Sequence, residues 1–136
     1  MGELSTIPPQ APELEQAVLG ACMLEAHHLS DVADLLTPQA FYVAAHAHLW
    51  TAIIALYSQR CPIDILTVTH ECKRRSTLDI VGGPFYISQL TNKVSGSANV
   101  VYHAHLILQA YISREAIRSG SDMAKGANDP RSDIFD

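Results

Sequence analysis

The chain has 136 residues, 48% of them hydrophobic and 17% charged, with a formal net charge of −5. That length fits one domain with a single core, and the composition is too apolar for intrinsic disorder. The acidic balance argues against a nucleic-acid-binding surface, which is built from clustered Lys and Arg.

Residues 1–11 are predicted to form a flexible, proline-rich arm, since adjacent prolines lack the backbone donors that helices and sheets need. The first helix should begin at Pro12, because proline suits a first helical turn, and should continue to about Glu25. Apolar residues follow at helical spacing along it, and Val18 is assigned to the core.

Carboxylate pairs recur along the chain, in Glu13 with Glu15 and in Asp31 with Asp34. Both pairs are expected on helix surfaces, where they favour solubility and offset the charge of helix ends. Neither pair is assigned a catalytic role.

The third helix carries the strongest periodic signal. A shorter helix from His28 to Leu36 should precede it and end at a Thr-Pro step. Apolar residues of the third helix then step by three and four along one side, which predicts that they lie in the core. These residues are Leu49, Trp50, Ile53, Ile54 and Tyr57.

Asp64 is the predicted cap of the fourth helix, since its carboxylate can accept hydrogen bonds from the unpaired amides of the next turn. That helix should run from Ile65 to about Ser76, with Val68 in the core. Its other side is expected to face solvent and comprises Glu71, Lys73, Arg74 and Arg75.

Two adjacent glycines, Gly82 and Gly83, predict the next turn, because glycine permits backbone angles closed to other residues. A fifth helix follows this turn and is expected to place Leu90 in the core.

A much longer helix is predicted for residues 98–127. Its unbroken helical run, from about Ala98 to Lys125, has roughly 28 residues and at about 1.5 Å per residue would be roughly 42 Å long. This exceeds the diameter of so small a bundle, so the far end should seek another surface. Besides the apolar stripe that packs on the bundle it has a second, outward stripe, which needs a partner. The candidate interface residues on the outward stripe are Val101, Leu108, Ile112 and Ala116.

The predicted fold class is all-α, because no segment shows the period-two alternation of strands. We expect a compact irregular or orthogonal bundle of about five short helices, spanning residues 12–97, plus one long C-terminal helix. Residues 98–127 would be the first half of a helical hairpin, and residues 128–136 a turn and the start of a further helix.

Seven histidines raise a metal-binding hypothesis. The spacing weakens it, because residues two apart on a helix point about 200° away from one another. The pairs concerned are His46 with His48, His70 with Cys72, and His103 with His105. His46 is instead expected to be a hydrogen-bonded core histidine beside Tyr42, and no metal or cofactor site is assigned.

No catalytic residue is assigned either. A phosphate-binding loop needs glycines ahead of a Lys-Ser or Lys-Thr step, which is absent after Gly83. The cysteines Cys22, Cys61 and Cys72 show no paired spacing, and no apolar stretch approaches the roughly 20 residues of a bilayer span. A cytoplasmic protein with no membrane partner is therefore expected.

Five short motifs stand in order along the chain. The first three are Glu-Gln-x-Val-Leu-Gly within residues 12–20, Phe-Tyr-x-x-x-His at 41–46 and Pro-Ile-Asp-Ile-Leu-Thr-Val at 62–68. The last two are Val-Gly-Gly at 81–83, followed by Tyr86, and Ser-Ala-Asn-Val at 97–100. In this order they resemble the amino-terminal domain of DnaB-type replicative DNA helicases, over about residues 7–127.

The resemblance implies a helical domain that forms a collar on a hexameric ring, in which the long helix and the next one make a hairpin that pairs subunits. It also implies recruitment of primase and, as a further partner, a helicase loader, with no direct contact to nucleic acid. The ATP-binding motor would lie beyond a linker. The resemblance therefore implies a non-catalytic module for protein–protein interaction and oligomerisation in DNA replication.

Two alternatives stay open. The chain could be a stand-alone mimic of the helicase domain that regulates primosome assembly, which a stop codon directly after Asp136 would favour. It could also be a metal-binding protein or hydrolase that relies on its histidines, which would require stoichiometric zinc or measurable hydrolysis.

Overall fold

The protein is described by a computed structural model covering residues 7–94 and 98–131 together with 133 and 135. Over this part of the chain it contains α-helices and short 3-10 turns but no strand, which confirms the predicted all-α class. The helices are α1 (Pro12–Leu24), α2 (Leu29–Val32), α3 (Ala44–Ser58), α4 (Ile65–Arg74), α5 (Gly83–Asn92) and α6 (Val100–Asn128). The 3-10 turns are Ala26–His28 and Pro38–Ala40.

Helix α1 lies at the centre of the bundle and contacts α3, α4, α5 and α6. It starts as the sequence predicts, with Pro12 in its first turn. The consecutive residues from Val18 to Met23 are all buried, because other helices pack on several sides of α1.

Trp50 anchors the other half of the core. Its side chain is fully buried, and its ring centroid lies 5.4 Å from that of Phe41. The indole Nε1 donates a hydrogen bond to the carbonyl oxygen of Leu36 at 3.0 Å. An aromatic ring of this size is thus buried with its polar atom paired, which ties α3 to the segment after α2.

The structure places most of the predicted core residues inside the bundle. Fully buried are Val18, Trp50, Ile53, Val68 and Leu90, while Ile54 is half-buried against the core. The prediction for Tyr57 is wrong, since this side chain is 39% exposed. The buried side of α3 passes instead through His46, Leu49, Ile53 and Leu56, and Tyr57 lies at its edge in the last helical turn.

Several helix bounds differ from those predicted. Helix α2 ends at Val32 rather than Leu36, because the chain tightens into a turn in which the Leu35 amide bonds to the Val32 carbonyl. Helix α4 ends at Arg74, and Ser76 lies beyond it in a left-handed conformation with φ of 60°.

Helix α6 is 29 residues long, so it extends over about 43 Å. Its last buried residue is Ile107, and every residue from Ala116 to Lys125 is exposed. The second half of α6 therefore runs past the core. The further helix predicted around Ser132 to Asp136 lies largely outside the described residues, and so do residues 1–6 of the arm.

None of the described helices combines the length and the apolar character that crossing a bilayer requires.

Candidate functional site

A buried hydrogen-bond network joins α1, α3 and α5. Glu15 and His46 are each 1% exposed, and Glu15 Oε1 lies 2.8 Å from His46 Nδ1. Because an ionised carboxylate can only accept, the imidazole donates this hydrogen bond. On the other side of the ring, His46 Nε2 lies 2.7 Å from the Tyr86 hydroxyl. The oxygen of that hydroxyl accepts a hydrogen bond from Gln16 Nε2 at 3.4 Å.

Glu15 also caps α3 from outside that helix. Its carboxylate accepts hydrogen bonds from the backbone amides of Tyr42 at 2.7 Å and Val43 at 3.3 Å, just ahead of the first residue of α3. The N-cap Val43 has no side chain that could do this, and a negative charge is favourable at the positive end of a helix. The expectation that Glu15 lies on the surface is therefore wrong.

This network links α1, α3 and α5 to one another. Glu15 and His46 are almost fully buried, so neither side chain is open to a substrate in the surrounding solvent. His46 is a hydrogen-bonded core histidine, as predicted, but its side-chain partners are Glu15 and Tyr86. Tyr42 contributes its backbone amide, while its ring lies under the guanidinium of Arg114 at 5.3 Å.

The network also shows what the sequence motifs have in common. Glu15 and Gln16 belong to the first motif, His46 to the second, and Tyr86 follows the fourth. Residues far apart in the sequence thus meet at one buried point where three helices join.

Asp64, Gly82 and Gly83 have the local roles that their residue types suggest. The Thr67 amide donates to Asp64 Oδ1 at 2.9 Å, and the Asp64 amide donates to Thr67 Oγ1 at 2.8 Å, which is a reciprocal capping box. Gly82 and Gly83 have φ of 99° and 80°, in the left-handed region that favours glycine, at the start of α5.

The predicted solvent side of α4 contains one buried residue. Glu71 is only 6% exposed, and its carboxylate accepts hydrogen bonds from Arg74 Nη2 at 2.6 Å and Arg75 Nε at 2.7 Å. The hydrogen bonds from Arg74 and then Arg75 lower the pKa of Glu71 to about 2, although burial opposes them. The prediction that Glu71 is exposed is thus wrong, because the side chains of Arg74 and Arg75 cover its carboxylate.

The outward stripe of α6 is largely exposed. Val101 is 38% and Ile112 58% exposed, and Ala116 is also exposed, whereas Leu108 is half-buried and packs against the core. Leu108 lies at the border between the two stripes, so part of its surface is already covered. Sequence reasoning missed Met123, which is 74% exposed and stands two helical turns beyond Ala116 on the same side.

Arg114 fastens the described part of the arm to the bundle. It donates hydrogen bonds to the carbonyl oxygens of Pro9 at 2.9 Å and Ala40 at 3.0 Å. Its guanidinium also lies 5.7 Å from the centre of the Tyr111 ring, within the range of a cation–π contact. The arm, the Pro38–Ala40 turn and α6 therefore meet at one side chain.

The structure also brings together a polar cluster that sequence reasoning missed. The possible metal-ligating atoms of Glu25, His27 and His28 all lie within 4.8 Å of one another. The sequence signal is a His-His pair directly after the first helix, whose members are adjacent, unlike the other candidate pairs, whose members are two positions apart.

Over the described residues, the packed helices, the buried network that joins three of them and the projecting α6 define an all-α domain that presents a helix surface. The chain belongs to the DnaB-like helicase N-terminal domain family, whose model matches residues 7–109. It is 41% identical over 130 residues to the replicative DNA helicase DnaB of Rhodothermus marinus, and the match covers 96% of this chain but 14% of that protein.

Solved structures agree with this assignment. The crystal structure of the N-terminal domain of DnaB helicase from Mycobacterium tuberculosis matches with a TM-score of 0.87 at 33% identity, covering 89% of this chain and 86% of that one. The N-terminal domain of DnaB helicase from Helicobacter pylori, described together with its interactions with primase, shares the fold with a TM-score of 0.73 at 18% identity, covering 87% and 92% of the two chains. The 136 residues therefore correspond to the amino-terminal domain and not to the ATPase motor.

Proposed function

We propose that this chain is the assembly domain of a replicative DNA helicase, non-catalytic itself. In this role it holds neighbouring copies of the domain together through α6 and offers a docking surface to primase, with a helicase loader as a further candidate partner. The observation that carries the proposal is the exposed apolar side of α6.

That exposed side has the spacing of a helix–helix contact. The intervals between Val101, Ile112, Ala116 and Met123 are close to whole numbers of helical turns, so these side chains form one line along the rod. Large apolar groups aligned in this way are unfavourable in water unless a partner covers them. A second helix laid along the line would cover them in the manner of a helical hairpin or coiled coil.

Two further observations favour protein partners. The formal net charge of −5 disfavours binding to the nucleic-acid backbone. A relative with the same fold, from Helicobacter pylori, is described with its primase interactions. Primase is for this reason the first partner to test after self-association.

Self-association is tested by sedimentation velocity over a concentration series, comparing the wild type with Ile112→Glu. A buried charge in the interface should weaken association at least about tenfold. The matched control is Leu66→Glu, because Leu66 is 79% exposed on α4, away from α6. A wild type that stays monomeric at high concentration would remove the self-association part of the proposal.

Primase binding is tested separately by titrating the cognate primase into the wild type, the Ile112→Glu variant and the Leu66→Glu variant. We expect saturable binding by the wild type. If neither the wild type nor either variant binds primase, the proposed recruitment of primase fails, while the proposed self-association is unaffected. If only Ile112→Glu loses binding, assembly through α6 and docking share one surface.

A further inference from the structure

The cluster at the junction of α1 and α2 has the geometry of a metal site. Glu25 Oε2 lies 3.5 Å from His27 Nδ1 and 3.8 Å from His28 Nε2. Four donors at about 2.1 Å from a tetrahedral ion stand about 3.4 Å apart. The three side chains are therefore close to the spacing of donors around one ion, and all three distances lie within 4.8 Å.

His28 supplies an independent observation. The residue is 93% buried, being 7% exposed, and its Nε2 atom is buried without a hydrogen-bond partner among the described atoms. A buried polar nitrogen without a partner is costly and unusual in a native fold. Because Glu25 Oε2 lies 3.8 Å from this atom, too far for a hydrogen bond, an ion between the two atoms would satisfy it.

The backbone that carries the three side chains is well fixed. The Glu25 amide bonds to the Ala21 carbonyl at 2.9 Å, and the His28 amide bonds to the Glu25 carbonyl at 3.1 Å. Leu29, directly after the cluster, is fully buried. The donors are consequently held in place by the end of α1 and by the core, which reduces the ordering cost of binding an ion.

We propose that Glu25, His27 and His28 form a binding site for one divalent transition-metal ion, with Zn²⁺ as the expected occupant. Two imidazole nitrogens and one carboxylate oxygen suit zinc and neighbouring transition metals, whereas Mg²⁺ prefers oxygen donors alone. The site joins the end of α1 to the start of α2, and it leaves a fourth coordination position for water or for a donor from a bound partner.

The experiment is an isothermal titration of the purified chain with Zn²⁺, with Mg²⁺ as the comparison ion. We expect one Zn²⁺ per chain, a raised melting temperature in its presence and no comparable response to Mg²⁺. His27→Ala and Glu25→Gln should each weaken binding at least about tenfold, since even residues that only orient ligands contribute that much. Both side chains are more than half exposed, so these variants should fold as the wild type does.

The matched control is His70→Ala, which removes an exposed histidine from α4 and should bind Zn²⁺ as the wild type does. A wild type that takes up no Zn²⁺ would overturn the proposal. Unchanged affinity in both His27→Ala and Glu25→Gln would overturn it as well, because the ion would then be bound elsewhere. The outcome does not depend on self-association or on primase, so this site and the assembly role can fail separately.

Discussion

At the residue scale, the carboxylate of Glu15 connects parts of the chain that are far apart in the sequence. Glu15 accepts hydrogen bonds from the His46 ring and from the amides of Tyr42 and Val43, and the Tyr86 hydroxyl completes the chain on the far side of the ring. Buried polar groups that are fully paired fix the relative positions of the elements that carry them. This pairing gives a structural role to three residues of this chain, Glu15, His46 and Tyr86, which lie within or just after three of the ordered motifs.

We expect Tyr86→Phe to destabilise the fold by about 1–2 kcal/mol, because it leaves the buried His46 Nε2 without a partner. Glu15→Ala should cost more, since it strips one side chain and two backbone amides of their acceptor. Urea denaturation followed by circular dichroism measures both. The control is Tyr57→Phe, which removes the same hydroxyl from an exposed ring and should change stability by less than about 0.5 kcal/mol. If the two Tyr→Phe substitutions changed the free energy of unfolding equally, the buried network would make no contribution of its own to stability.

At the element scale, α1 and α5 approach each other closely at Gly20. A Cβ atom placed on Gly20 would collide with the backbone carbonyl oxygen of Leu90 and would lie 2.7 Å from Val94 Cγ2. Only a residue without a side chain allows these two helices to pack so closely. The glycine that ends the first motif is thus explained by packing between helices rather than by a turn.

Gly20→Ala should therefore lower the free energy of unfolding by about 1–3 kcal/mol, since α1 and α5 must separate to admit the methyl group. Gly120→Ala is the matched control, because Gly120 lies within α6 and a Cβ there meets nothing within 4 Å. The control should stabilise the protein by about 0.5–1 kcal/mol, as alanine is the better helix former. Thermal and denaturant melts of both variants test the pair, and a stabilised Gly20→Ala would contradict the close packing.

At the scale of the whole molecule, the first half of α6 packs along α1, and Arg114 adds hydrogen bonds that join α6 to the arm and to the Pro38–Ala40 turn. Its acceptors are carbonyl oxygens of these two segments. Arginine suits this position because its planar group offers several donors at once and can also lie over aromatic rings. The orientation of α6 on the bundle therefore depends in part on one side chain.

Arg114→Ala should release the arm, because the Pro9 carbonyl loses its donor. Nuclear magnetic relaxation of the Gln10 and Ala11 amides should then report faster and larger motion, with a loss of about 1–3 kcal/mol in stability. Arg118→Ala serves as the control, since Arg118 pairs with Glu115 and Asp122 of its own helix. If Gln10 and Ala11 are as rigid in Arg114→Ala as in the control, the arm is held by other contacts.

Much of this architecture could be predicted from local pattern. The all-α class, the first turn of α1 at Pro12, the capping box at Asp64 and the turn at Gly82 all depend on residues within a few positions of one another. The exposed line on α6 was predicted in the same way, apart from the partial burial of Leu108. Its role as an interface remains a prediction.

Other features are decided by what each helix packs against. Helix α3 begins at Ala44 because Glu15 of α1 caps it, so the residues before α3 carry no cap of their own. Glu15 is buried because its partners come from elsewhere in the fold, and a charge pattern alone cannot show this. The partners of Glu71 are, by contrast, local, since Arg74 and Arg75 lie three and four residues after it.

By itself, the sequence determined the order of the helices and their apolar sides, because hydrophobic period and capping act over one or two turns. The family was indicated separately, by the resemblance of five ordered motifs. Only the tertiary structure decided which polar side chains meet. Contacts such as Glu15 with His46, or Gln16 with Tyr86, depend on how far each helix is rotated and where it ends, and those positions are set by packing of the whole core.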